Sequence, residues 1–192
     1  MIKGFFVLLV LIAGSRSFGD IVPPKTLNAV SDSSKVSFLA VGKPSFIKIK
    51  GEGKNVTGSV TVVNSLVNGS FKFPLKTLST GIDMRDRHMK EKYLKVETYP
   101  MAELKLSEIN LPKSWSLKNA ELKDVAFKGT MTLHDKQSVV SGTFEMLKGA
   151  NGMYNIKAVF PLKMTEYNIE IPVYAGIHVV DSIDVTVESA LQ

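Results

Sequence analysis

Cysteine is absent from the 192 residues, which excludes disulfide staples, thiolate metal sites and thiol nucleophiles together. Histidine is scarce, at three residues. His88, His134 and His178 stand far apart in the chain, and none has a second histidine at the three- or four-residue spacing that places two ligands on one helix face. Asp86 and His88 are two apart, which turns them to different sides of a helix. The chain also lacks a Gly-x-Ser-x-Gly elbow and a phosphate-binding loop. No catalytic residue, metal ligand or cofactor is assigned, and the expectation is a protein that is not an enzyme. Long apolar runs are missing too. The longest, residues 5–13, falls far short of the roughly 20 residues that span a bilayer.

That run does have a meaning. Lys3 precedes it, and Ser17 and Gly19 follow at the small-residue places ahead of Asp20, the three-part pattern of a secretory signal. Residues 1–19 are expected to be removed, leaving 20–192 as a single domain in the periplasm or outside the cell. A lipoprotein anchor is excluded, because no cysteine follows the run. The formal charge is +6, and removal of Lys3 and Arg16 leaves 22 basic against 18 acidic residues. A basic excess favours anionic partners. No basic run interleaved with aromatics is present, and export argues against nucleic acid. The excess fits a solvated lysine-rich surface, with transient contact with a membrane surface as the further expectation.

What the chain has in abundance is alternation with a period of two. Val36, Phe38 and Ala40 alternate with Ser37 and Leu39, and Ile47 and Ile49 with Lys48 and Lys50. Val56, Gly58, Val60 and Val62 share one face. Asn68-Gly69 is read as a turn before Phe71, Phe73 and Leu75. Further on, the same pattern runs through Leu104, Leu106 and Ile109, then Val125 to Leu133, Val140 to Met146, Tyr154 to Leu162, and Ile183 to Val187. His134-Asp135 and the stretch from Gly149 to Gly152 supply turns. Such alternation marks antiparallel strands with one dry and one wet face. Eight or nine strands without a repeat or a long linker predict an all-β sandwich or barrel.

One segment breaks the pattern. Residues 80–104 are the most charged part of the chain and open with a helix. Asp83 is placed to cap its first turn, with Asp86 three residues on. Asp86 with Lys90 and Glu91 with Lys95 stand in the favourable acid-then-base order. Met89, Tyr93 and Val96 form an apolar stripe, and Tyr99-Pro100 ends the segment.

These residues resemble a known signature. Thr80-Gly81, Arg85-Asp86-Arg87-His88-Met89 and Tyr93 to Pro100 are similar to the marker segment of the YceI-like family of polyisoprenoid-binding periplasmic proteins. Ser34 to Phe38, Gly51-Glu52-Gly53 through Val60, Lys128 to His134 and Val179 to Val185 resemble other family segments, in the same order. The chain departs where Asp135 follows His134 in place of the family's usual Gly. It departs again at Lys163 to Ile169, where the family commonly carries Arg-x-x-Phe-Gly. The resemblance implies an eight-stranded antiparallel lipocalin-like barrel with one short helix packed beside it, enclosing an isoprenoid lipid.

The dry stripes supply the candidate lining: Phe38, Phe71, Phe73, Phe127, Met131, Phe144, Met146, Tyr154 and Phe160. Small residues among them (Ala40, Gly58, Gly129, Gly142, Ala158) leave room for a ligand, and Met131, Met146 and Met164 can reshape around a chain. The same mixture suits a tapered, filled barrel. Two functions follow. One is an exported protein that sequesters or carries a polyprenyl or quinone-type lipid. The other is a filled-barrel interaction module binding a partner or membrane surface without catalysis. Arg85, Asp86 and His88 divide between headgroup contact and structural duty, and the structural duty is favoured. The irregular stretch 165–177 reads as a lid, an edge strand or a contact within a homodimer.

Overall fold

The computed structural model describes residues 24–112, 115–116, 121–174 and 176–192. The expected signal segment 1–19 lies outside them. Eleven strands form one sheet: β1 (Lys25–Lys43), β2 (Lys48–Lys54), β3 (Thr57–Val63), β4 (Leu66–Pro74), β5 (Met101–Asn110), β6 (Glu121–Leu133), β7 (Lys136–Lys148), β8 (Tyr154–Lys163), β9 (Val173–Tyr174), β10 (Ile177–Val179) and β11 (Ser182–Leu191). β2 and β3 run one after the other along β1, on Val41 to Lys35 and then Asn28 to Lys25. They act as a single broken strand. Antiparallel neighbours then follow through β4, β5, β6, β7 and β8 to β11, and β11 pairs back onto β1 from Leu39↔Asp184 to Ala29↔Leu191. The result is a closed antiparallel barrel of eight strands, and closure leaves no long edge to be shielded.

The alternation explains the inside. Val36, Ala40, Val60, Phe73, Phe127, Val140, Met146, Phe160, Leu162 and Val185 are all buried, whereas Lys50, Lys72, Lys128 and Lys157 between them are exposed. Where the period slips, a left-handed residue absorbs the slip. Glu108 (φ 53°) lets Leu106 and Ile109 both turn inward, and Asp124 (φ 50°) does the same beside Val125. Both coincide with breaks in strand register, the behaviour of β-bulges.

Turn chemistry differs from expectation at one place. Asn68-Gly69 lies within β4, and the hairpin turns instead at Asn64-Ser65 (φ 47° and 70°), between the pair Val63↔Leu66. Asn-Gly is the usual signal of a two-residue turn, but strand pairing puts the turn on Asn64, which also tolerates positive φ. Asn68 serves the neighbouring strand, where its Oδ1 accepts from the Glu108 amide at 2.9 Å, on the bulge. His134-Asp135 does turn the chain, with φ of 53° and 55°.

The short helix α1 (Asp83–His88) continues as a π-helical segment, Met89–Tyr93. Three expectations about it are corrected. Its N-cap is Ile82, without a side-chain cap, and Asp83 is already inside the helix. Neither acid–base pair forms an ion pair among the described residues. The chain leaves helical geometry at Lys95 (φ 46°), before Tyr99-Pro100. The widening into π geometry ends the helix early, which carries Lys95 away from Glu91. The apolar stripe does form, with Val96 buried and Met89 and Tyr93 packed on the core.

The stretch 165–177 becomes a 3-10 turn (Met164–Tyr167) followed by the ribbon of β9 and β10. β10 pairs with the end of β1 at Gly42 and Lys43, and β9 pairs outside β10, so of the three readings the edge strand fits β9. Tyr167 is fully buried, and burial, then the Glu166 charge, pushes its phenol up to about 12. His134 ties this stretch down. Its Nδ1 lies 3.1 Å from the Tyr167 carbonyl oxygen, which only accepts, so that nitrogen carries the proton. The Tyr99 ring stands edge-on to the imidazole at 4.1 Å between centroids.

Candidate functional site

The barrel is hollow. Its interior holds a chamber of about 140 Å³ and a second of about 420 Å³, well beyond the roughly 10–15 Å³ that one water molecule needs by the same measure. The two share Val36, Phe73, Ala102, Met131 and Val185 as walls. They are stacked along the barrel axis, as the order of lining residues shows. On β6, Leu122 and Phe127 face the smaller chamber, Met131 both, and Leu133 the larger. β8 repeats the sequence from Ile156 and Phe160 to Leu162. From Leu122 to Leu133 the strand runs roughly 35 Å at about 3.3 Å per residue, or about 25–30 Å along the axis of a barrel with tilted strands, so the two chambers together are elongated.

The smaller chamber is almost wholly apolar, with Lys72 and Ser189 the lining residues that carry polar side-chain atoms besides Trp115. The Trp115 indole nitrogen is buried without a protein partner. Phe127 stands edge-on to Phe144 and Phe160, at 6.4 and 6.0 Å between centroids. Phe71, Phe73, Met131 and Met146 complete the part of this wall read from the sequence. Phe38 lines the larger chamber only. Tyr154 lines neither, although it was expected on the wall. It is buried in the core at the end of β8, paired with Leu191 and with Lys148 over its ring at 5.8 Å. Its partner Leu191 does line the smaller chamber, so the chamber wall at this level is taken by Leu191 and Ile156 while the Tyr154 ring packs into the core beside them.

The small residues serve packing more than vacancy. A Cβ on Gly142 would meet the Val159 carbonyl and stand 2.7 Å from Phe160 Cβ, so this glycine lets β7 and β8 approach closely. Gly51 accommodates the Phe38 ring lying across it. The free volume is made instead by barrel geometry and by the spread of Leu104, Leu106, Ile156 and Val187, which alternation marks as inward but not as lining.

The larger chamber ends on the helical segment. Thr80, Ile82, Met84, Arg85, His88, Met89, Tyr93 and Leu94 line it, opposite Pro172, Val173 and Ile177. Asp86 organises this end. It accepts from Ser79 Oγ (2.6 Å), from the Thr80 amide (2.7 Å) and from Thr80 Oγ1. Burial raises its pKa, but those hydrogen bonds and the Lys90 charge outweigh that and hold the carboxyl below its usual 3.8. Arg85 donates through Nε to Thr80 Oγ1 (2.8 Å) and through Nη2 to the Thr80 carbonyl (3.0 Å). Asp86 thus ties the loop before α1 to the helix, while Arg85 is aimed by Thr80 and forms no ion pair among the described residues. The sequence favours structural duty for all three. The structure gives that duty to Asp86 and sets Arg85 and His88 on the cavity wall. A usable signal was the combination of Met89 and Tyr93 on one stripe with Arg85 one turn earlier.

Among the described residues no three His, Asp or Glu side chains come together in a metal-binding arrangement. No described helix is long and apolar enough to cross a membrane, a statement that leaves strand-built spans aside.

A closed eight-stranded antiparallel barrel with an apolar interior and a helix across one end defines a lipocalin-like architecture. Residues 27–191 match the YceI-like domain, and the chain belongs to that family. Among solved structures it is similar to BcnA of Burkholderia cenocepacia, with a TM-score of 0.68, 16% identity, and 84% of this chain and 98% of that one covered. It is also similar to a polyisoprenoid-binding domain from Saccharophagus degradans implicated in plant cell wall breakdown (TM-score 0.64, 13% identity, 86% and 97% covered). The Campylobacter jejuni YceI protein is a third (0.54, 15%, 74% and 83%). No curated protein matches the sequence significantly.

Proposed function

We propose that the protein is exported and sequesters or carries an isoprenoid lipid, of polyprenyl or quinone type, inside the barrel, without catalysing a reaction. The observation that carries this reading is the pair of adjacent chambers that share five wall residues, mostly apolar along their length, with Thr80, Arg85 and His88 gathered at the far end of the larger one. A long chain buried there gains about 25 cal/mol per Å² of apolar surface, and a headgroup with hydrogen-bond acceptors meets the Arg85 guanidinium at the end. A family whose structural relatives include a polyisoprenoid-binding domain supports the same class of ligand. The filled-barrel alternative is disfavoured by the chambers themselves.

The test is to express the full chain with residues 1–19, recover it from the compartment it reaches, extract it with organic solvent and identify co-purified lipid by mass spectrometry. A prenyl chain in roughly one-to-one ratio is expected. An empty barrel that takes up no added prenyl lipid, with Phe127→Trp or Phe144→Trp emission unmoved, would sink the proposal.

A further inference from the structure

Nine large apolar side chains are exposed among the described residues; three of them, Ile82, Met84 and Val173, line the larger chamber, and two more, Phe46 and Ile171, directly adjoin its lining residues Ile47 and Pro172 in the chain. Phe46 is 80% exposed and sits on the turn between β1 and β2, next to Ile47 of the chamber wall. Ile82 and Met84 come from the start of α1, and Ile171 and Val173 from the ribbon that closes the other side. The turn and the ribbon are in contact. The Gly42 amide donates to the Ile47 carbonyl (2.8 Å) and the Val179 amide to the Pro172 carbonyl (3.0 Å), while Gly42 pairs with Val179. Three separate segments therefore raise apolar side chains around one opening. A soluble surface has no use for such a ring.

Basic residues are interleaved with it. Segments 43–48, 82–90 and 169–178 carry Lys43, Lys48, Arg85, Arg87 and Lys90 against Asp83, Asp86 and Glu170, and the Asp86 carboxylate is turned to Ser79 and Thr80. Apolar side chains that can insert, flanked by cations, form the pairing that holds a protein on an anionic bilayer surface.

We infer that the rim formed by Phe46, Ile82, Met84, Ile171 and Val173 docks the open end of the barrel onto an anionic phospholipid bilayer. Docked in this way, the larger chamber opens onto the hydrocarbon of the bilayer, and a lipid passes between the two without crossing water. Cargo transfer rests on the lipid-binding reading above. The docking itself does not, and is read with empty protein.

The experiment is co-sedimentation of the full-length mature domain with phosphatidylcholine vesicles, with and without phosphatidylglycerol. Binding to the anionic vesicles is expected, weakened by salt because exposed charges are screened. Phe46→Ser with Ile171→Ser, neither of which lines the chamber, should lower that binding at least about tenfold, given the apolar area withdrawn from the bilayer. Uptake of a prenyl lipid from detergent micelles should be unchanged. Lys43→Gln with Lys48→Gln should cost about fivefold per charge on anionic vesicles only. Leu147→Ser, exposed on β7 opposite Glu121 at the other end of β6 from Leu133, should change nothing. A Phe46→Trp variant should be quenched by brominated lipid.

Docking is overturned if the wild-type protein loads prenyl lipid from micelles yet ignores anionic vesicles, or if Phe46→Ser with Ile171→Ser binds them as well as wild type. It is also overturned if that variant only dissociates a dimer in light scattering, since the rim would then face a second copy. Vesicle binding without uptake of any prenyl lipid would instead count against the proposed cargo and leave docking standing.

Discussion

At the scale of single residues, Asp86 and Arg85 divide the labour at the end of the cavity. Asp86 commits its acceptors to Ser79 and Thr80, so its removal should loosen the loop without emptying the chamber. Asp86→Asn is expected to cost about 1 kcal/mol at neutral pH, the usual net worth of such bonds at a partly solvated site, read as a lower urea midpoint. The sign of the pH dependence follows from its depressed pKa. The stabilisation is complete above the unfolded carboxyl value of about 4 and is lost as pH falls through the lower folded value. The gap between wild type and Asp86→Asn should therefore close as pH falls below the ordinary carboxyl value, and a gap that widens on acidification would contradict the assignment. Arg85→Gln keeps a hydrogen-bonding head and removes the charge. It should weaken a prenyl phosphate about tenfold while changing a quinone of equal tail length far less, since bonds to charged groups are the stronger class. Isothermal titration with both ligands makes the comparison.

Elements carry a different set of constraints, in which turns and crossings fix what may be substituted. Asp135 stands at φ 55°, and Asp is among the few residues that tolerate that conformation. Asp135→Gly should fold at least as well, and Asp135→Val should lose roughly 1–2 kcal/mol in denaturant titration. At Gly142 the obstacle is contact and not conformation. Gly142→Ala pushes a methyl into the β8 backbone, for an expected loss of about 1–3 kcal/mol. The helical segment shows why its ends were misplaced. Asp83, Lys90 and Lys95 satisfy helix-end and pair rules locally, yet the segment must also lay Met89 and Tyr93 over the chamber. It does so by widening into π geometry, and sequence rules for straight α-helices do not anticipate that.

For the whole molecule, closure of β11 onto β1 turns a row of amphipathic strands into a vessel, and the vessel's stability should depend on its contents. A ligand present at about 100 times its Kd adds roughly 2.7 kcal/mol, which for a chain of this size corresponds to a rise of about 5–10 °C in Tm. Calorimetry of delipidated and reloaded protein should show that rise for a prenyl lipid and none for a short-chain alcohol. A delipidated protein that melts at the same temperature as the loaded one would mean that the chambers are not the binding site.

Much of this was legible in the chain itself. The absence of cysteine, the period of two and the marker residues from Thr80 to Pro100 determined the strand class, the barrel and the family. Eight of the nine proposed lining residues reach a chamber, because strand alternation decides which face each side chain takes. Tyr154 does not, although its register partner Leu191 does, because alternation gives the face of a strand and not which neighbouring side chain takes the space in front of it. Whether the interior is filled or hollow was also beyond the sequence, since Gly142 could mean vacancy or close approach, and only the neighbouring β8 backbone decides. The gathering of Phe46, Met84 and Val173 around one opening depends on three segments far apart in the chain. Each is ordinary alone, and only closure of the barrel brings them to the same rim.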